Sequence, residues 1–143
     1  MILYFDTSAL FRLYVPEAGR EAVVKAAGAC EVRCTHLIAF AELHAAVAKA
    51  ERLKRLREKE VQTILARFEQ DWAALLVIAV DDALIRRAGG LARQHGLRGY
   101  DSVHLAAAER LASTMPMEQV LLAAFDKDLL AAAGRLGFQL LEP

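Results

Sequence analysis

Cysteine is scarce in this sequence. Only Cys30 and Cys34 occur among 143 residues, four apart in CEVRCTH with His36 close by. A structural zinc site needs four ligands at recognisable spacings, and no second pair is present to complete one. Two cysteines also cannot form the disulfide framework of a small secreted protein, so both are expected to be reduced. Cys30, Val32, Cys34 and His36 share one parity. A strand through them would turn all four to one side, as core or half-buried residues. Long hydrophobic runs are missing too: the longest clean one, Ala73 to Val80, is far too short to span a bilayer. No basic segment precedes the apolar start, so no signal peptide is expected and the chain reads as cytoplasmic, with no membrane partner. An excess of either charge is absent as well. Eighteen basic and eighteen acidic residues cancel, and only local patches can speak to a polyanionic partner.

At 56% hydrophobic and 25% charged, the composition excludes a disordered chain. The length suits one domain over residues 1–143. The chain opens with the apolar run Ile2, Leu3, Tyr4, Phe5, which stops at Asp6, and a helical pattern then runs to about Tyr14. A run bounded in this way reads as a buried strand of a parallel sheet. Pro16 interrupts the helix, and helical periodicity resumes over Glu17–Ala27. Val32–Thr35 reads as a second strand, and Leu37–Leu53 and Glu58–Trp72 as long helices. Leu75–Val80 is a third strand. Helices follow over Asp82–Gln94 and Asp101–Leu111, and Pro116 punctuates the turn beyond. Val120–Phe125 is a fourth strand, Asp126–Leu136 a helix and Phe138–Leu141 a fifth strand. Strands regularly separated by helices imply right-handed crossovers and a parallel sheet covered on both faces. Between Lys49 and Lys59 six basic residues stand against two acids. A solvated helix surface is the first reading of that segment and a nucleic-acid contact the second.

Four acids call for a common explanation. Asp6 stands at the carboxyl end of the first strand, where open α/β sheets bind ligands, although it is also placed to cap the next helix. Glu42 has Ile38, Ala39, Ala45 and Ala46 as its helical neighbours, so a carboxylate points into an apolar stripe, where an unpaired charge is costly. Asp101 lies between a glycine loop and the apolar helix Ser102–Ala108. His104, one turn on, is placed either to orient that carboxylate or to sit in the core as a satisfied histidine. Asp126 repeats the arrangement of Asp6 after VLLAAF, and Asp128 complements the following helix dipole. If strands one and four are neighbours, Asp6 and Asp126 face each other at one sheet edge. Clustered carboxylates repel, and a hard divalent ion such as magnesium or manganese relieves this through oxygen ligation. The helix from Leu37 to Ala48 is apolar on nearly every side, which points to a surface covered by a second copy of the chain.

At these residues the chain resembles the PIN-domain ribonucleases, most closely the VapC-type toxins of prokaryotic toxin–antitoxin pairs. FDTSAL is similar to the family's opening motif with Asp6 as its acid, FAELHAA to the second with Glu42, GYDSVHLAAA to the third with Asp101 and FDKDLL to the fourth with Asp126. The likeness spans essentially the whole chain in order. It departs at Ala124, where many members carry Ser or Thr. It implies a three-layer α/β/α sandwich with a five-stranded parallel sheet in order 3-2-1-4-5. It also implies RNA phosphodiester hydrolysis assisted by Mg2+ or Mn2+ at Asp6, Glu42, Asp101 and Asp126, with Thr7 or Ser8 positioning the phosphate. A small antitoxin with a cationic inhibitory segment and a homodimer are the partners it implies.

Other classes fit less well. A haloacid dehalogenase phosphatase requires a second acid where Ser8 stands. A phosphate-receiver domain requires an acidic pair at the first strand and a strand-end lysine. A stand-alone nuclease, or a non-catalytic binding module that keeps the acidic pocket as a relic, shares all four acids and is separated by a nuclease assay.

Overall fold

Strand β1 (Ile2–Phe5) is buried along its whole length, as its unbroken apolar run requires. The structure is a computed structural model, and residues 1–142 are described. After β1 the chain forms α1 (Thr7–Arg12), α2 (Arg20–Ala29), β2 (Val32–His36), α3 (Ala39–Arg52), α4 (Glu58–Trp72) and β3 (Leu76–Ile78). Then follow α5 (Asp82–His95), α6 (Gly99–Thr114), β4 (Val120–Ala123), α7 (Lys127–Arg135) and β5 (Gln139–Leu140). The five strands pair in parallel in the order β3-β2-β1-β4-β5. The order reverses between β1 and β4, which run in register from Ile2 opposite Val120 to Phe5 opposite Ala123. This is the switch point at which sheets of this kind open a crevice beyond the carboxyl ends of their strands.

The period-two alternation of the strands divides the core in two. Ile2, Tyr4, Cys34, Val120 and Leu122 face α5, α6 and α7, with Leu84, Leu91, Leu105, Leu111 and Leu129 packed among them. Leu3, Phe5, Leu121 and Ala123 face α1 to α4, where Leu10, Val23, Leu43, Val47 and Phe68 close the second layer. Asp6 and His36 continue the parity of the first face, so both chains of residues lead toward α6. Among the described residues no helix is long and apolar enough to cross a membrane.

Several element boundaries differ from the sequence expectation for local reasons. The second helix starts at Arg20 rather than Glu17, because Gly19 adopts the left-handed conformation (φ 83°) that precedes it. Helix α3 ends at Arg52, and the chain turns through Lys54 (φ 57°) before α4 starts. The basic segment is therefore a helix end, a turn and a helix start, exposed except for the buried Ala50 and Leu56. The outer strands β3 and β5 are shorter than their apolar runs, since each has a pairing partner on one side only. Helix α3 buries one stripe, Ala39, Leu43, Val47 and Ala50, and its Ala41 and Ala45 are exposed. Its apolar composition thus reflects small residues on an outer face, not burial all round. Cys30 lies outside β2, at the end of α2, and packs with the face opposite to Cys34. Both thiols are free.

Candidate functional site

Beyond the carboxyl ends of β1 and β4 lies a cleft of about 610 Å³ whose walls include Asp6, Glu42, Asp101 and Asp126. Each acid arrives on a different element, and each has one side committed to the fold. Asp6 follows β1 and is the N-cap of α1: its Oδ1 accepts from the Ala9 N–H at 2.8 Å. Asp126 is the N-cap of α7 in the same way, with Oδ1 accepting from the Leu129 N–H at 2.9 Å. The capping reading of these two residues is therefore correct, and both also line the cleft.

Asp101 behaves differently. Helix α6 begins two residues before it, with Arg98 at the cap position, so Asp101 lies within the first turn and caps nothing. Its side chain is 12% exposed and meets a guanidinium: Arg98 Nε donates to Asp101 Oδ2 at 2.8 Å. Arg98 Nη2 also donates to Asp126 Oδ2 at 3.2 Å. Arg98 itself is 77% exposed, so the cation that spans two of the acids stands at the solvent side of the cleft. Sequence reading missed it, although an arginine three residues before Asp101 on one helix turn was the available signal.

Glu42 explains its own apolar setting. Oε1 accepts from His104 Nε2 at 3.1 Å and lies 3.6 Å from His36 Nε2. His104 thus serves Glu42, not Asp101. Its Nδ1 lies 3.1 Å from the hydroxyl of buried Tyr4, and Thr7 Oγ1 is 3.2 Å from its Nε2. His36 is fully buried beneath it, with ring centroids 3.9 Å apart and planes tilted by 33°. Burial, with a smaller contribution from His104, pushes the His36 imidazole down to about 3, so it is neutral at physiological pH. Among the described residues, the group of three or more that brings metal-ligating atoms within 4.8 Å of one another is His36, Glu42 and His104, rather than the four acids.

Ser8 fastens the centre of the cleft. Its Oγ lies 2.7 and 2.8 Å from the two oxygens of Asp6 and accepts from the Phe125 N–H at 3.0 Å, tying the start of α1 to the segment that follows β4. Ala124 is buried in the core, so a packed methyl group stands where the family resemblance leads one to expect a hydroxyl. Asp6 is 4% exposed. Burial pushes its carboxyl above the usual range, outweighing His104, Ser8 and the Ala9 N–H, which hold it down. A buried acid held back from ionising, beside two carboxylates already drawn to a guanidinium, is a donor set short of positive charge. Such oxygen donors suit a hard divalent ion. Lys49 from the basic segment, Arg12 and the 63%-exposed Tyr100 complete the rim.

Fold and cleft together define an α/β protein with an acidic crevice at the switch point of a parallel sheet. Comparison with known proteins makes the class specific. The PIN domain model matches residues 3–135, and the chain belongs to this family. Ribonuclease VapC45 of Mycobacterium tuberculosis is 36% identical over 107 residues, covering 75% of this chain and 74% of the relative. Ribonuclease VapC3 of Pyrobaculum aerophilum is 32% identical over 111 residues, covering 78% and 84%. The crystal structure of FitAcB from Neisseria gonorrhoeae superposes with a TM-score of 0.66 at 22% identity, over 100% of this chain and 98% of that one. That of VapBC2 from Rickettsia felis, bound to a DNA fragment from its promoter, gives 0.63 at 16%, over 98% and 97%.

Proposed function

We propose that this chain is a divalent-metal-dependent endoribonuclease and the toxin of a toxin–antitoxin pair. The observation that carries the reading is the convergence of Asp6, Glu42, Asp101 and Asp126 on one cleft, in a chain related to VapC ribonucleases. In this reading the four acids hold Mg2+ or Mn2+, directly or through water. The ion would activate water and offset the charge that develops on the scissile phosphate. The chain's own residues prepare the site. Asp6 and Asp126 each give one oxygen to a helix N-terminus and keep the other for the cleft. Glu42 is steadied by His104, and Arg98 holds Asp101 and Asp126 until a stronger cation displaces it. Thr7 and Ser8 line the cleft where a phosphate would sit, and Lys49 extends it toward the basic turn, along which an RNA backbone can run.

An antitoxin would block this cleft with a cationic segment. Arg98 supports that reading, because a guanidinium already pairs with two of the acids in the geometry an inhibitor's arginine would use. Co-purification with the product of the adjacent reading frame tests it; recovery from the native host without a partner favours a stand-alone nuclease. A homodimer is supported by the outer face of α3, where Ala41 and Ala45 are exposed and the neighbouring Leu37 is 53% exposed. Sedimentation showing only monomer at micromolar concentration would remove it.

The central experiment is cleavage of mixed RNA with Mg2+ or Mn2+ against a chelator, using wild type and Asp6→Asn. The variant keeps the cap but loses a ligand charge, and it should be inactive. Equal cleavage by both proteins, once contaminating nuclease is excluded, refutes the assignment. Absence of cleavage by wild type under all conditions favours a relic binding module.

A further inference from the structure

We infer that His36 and His104 are positioning residues that fix Glu42 as a one-oxygen ligand, and that they do not themselves form a metal site; this rests on the nuclease reading above. Two histidines and a carboxylate within 4.8 Å resemble a transition-metal site. The hydrogen bonds decide against it. His36 Nδ1 accepts from the Ala39 N–H at 3.2 Å. A neutral imidazole that accepts at Nδ1 carries its proton on Nε2 and has no lone pair there to give a metal. Nε2 is a buried donor with no partner in the fold, 3.6 Å from Glu42 Oε1. That distance lies just outside a hydrogen bond.

His104 reaches the same state from the other side. The Tyr4 phenol carries an O–H that can donate to Nδ1 at 3.1 Å. The proton of His104 is then on Nε2, facing Glu42 Oε1 at 3.1 Å. His104 Nε2–H therefore donates to one oxygen of Glu42, and the Nε2–H of the His36 ring packed against it lies 3.6 Å from that same oxygen. No hydrogen bond among the described residues engages Oε2, which is left for the cleft. The backbone N–H of α3 and the phenol of β1 set the two tautomers, and the tautomers set the carboxylate.

Outer partners of this kind are worth roughly ten- to a hundredfold in metal affinity. The test has two readouts. Long-range proton–nitrogen NMR of the metal-free protein should show both rings protonated at Nε2, with His36 Nδ1 bare. A proton on His36 Nδ1 overturns the inference, as does Zn2+ uptake that disappears in His36→Gln. Mn2+ affinity, followed by the EPR signal of the free ion, should fall about ten- to a hundredfold in His104→Leu. It should largely recover in His104→Gln, whose amide N–H can stand where Nε2–H was. Asp6→Asn separates the two levels of the reading. If it binds Mn2+ as wild type does, the acidic-site assignment fails. If it loses Mn2+ while His104→Leu retains it, the positioning role alone fails. Should the leucine variant not fold, the wild-type tautomers still decide.

Discussion

Arg98→Ala offers the sharpest test of how the acidic cleft is balanced. The guanidinium holds Asp101 at 2.8 Å and Asp126 at 3.2 Å, but its side chain is 77% exposed. Ion pairs so open to solvent contribute about 0–1 kcal/mol. In a chain of this size, 1 kcal/mol corresponds to a melting shift of about 2–4 °C. Without metal, the variant should therefore melt a few degrees below wild type, because two carboxylates lose their shared cation. With Mg2+ at a hundredfold excess over its dissociation constant, the ion should stabilise wild type by about 2.7 kcal/mol. Arg98 competes for the same oxygens, so its removal should tighten metal binding by as much as about fivefold, the equivalent of 1 kcal/mol. The gap between the two proteins should then close when metal is present. Four thermal melts, each protein with and without Mg2+, measure this. A gap that widens with metal would show that Arg98 belongs to the loaded site, and equal melting in all four would remove both the ion and the guanidinium from the account.

Asp101 caps no backbone group, but Asp101→Asn weakens the ion pair with Arg98, so metal-free stability should fall by no more than about 1 kcal/mol, offset by relief of carboxylate repulsion, and most of the Mg2+-induced melting shift should be lost; a shift equal to that of wild type would take Asp101 out of the ligand set. The His36 imidazole is held below its unfolded value of 6.5, at about 3, so its burial favours the fold above pH 6.5 and that contribution is lost as pH falls toward 3. The stability difference between wild type and His36→Gln should accordingly shrink across that window in denaturant titrations, and a difference independent of pH would contradict the neutral buried state. Leu43→Ala, at a fully buried position of α3, should cost about 2–5 kcal/mol and weaken Mn2+ binding as well, because the same helix carries Glu42; unfolding and metal titrations check the two effects separately.

The sheet was legible because its strands are short apolar runs that end abruptly, and the acids that end them, Asp6 and Asp126, mark the carboxyl edge directly. Glu42 was legible as an exception within an alanine-rich helix. Its reason was not, since His104 and His36 are 62 and 6 residues away and meet it only through β2 and α6. Reading His36 as one more inward strand residue was right about its burial and silent about its donor. Arg98 escaped notice because an arginine in a glycine loop looks like any exposed cation until the fold brings Asp126 beside it. The start of α6 was misplaced because Asp101 has the chemistry of a cap, whereas Arg98, which holds the cap position, has not.

The division of labour within Asp6 and Asp126 bears on how such proteins change over time. In each, Oδ1 secures a helix N-terminus while Oδ2 is turned to Ser8 or Arg98. Asparagine can fill the capping half of either role about as well as aspartate. If these two acids carry the proposed metal chemistry, one nucleotide change in either codon would silence it and leave the scaffold standing. A lineage under pressure to disarm this protein has no need to delete it: inert, fully folded copies are one mutational step away, and they would keep every surface by which a partner recognises the active form.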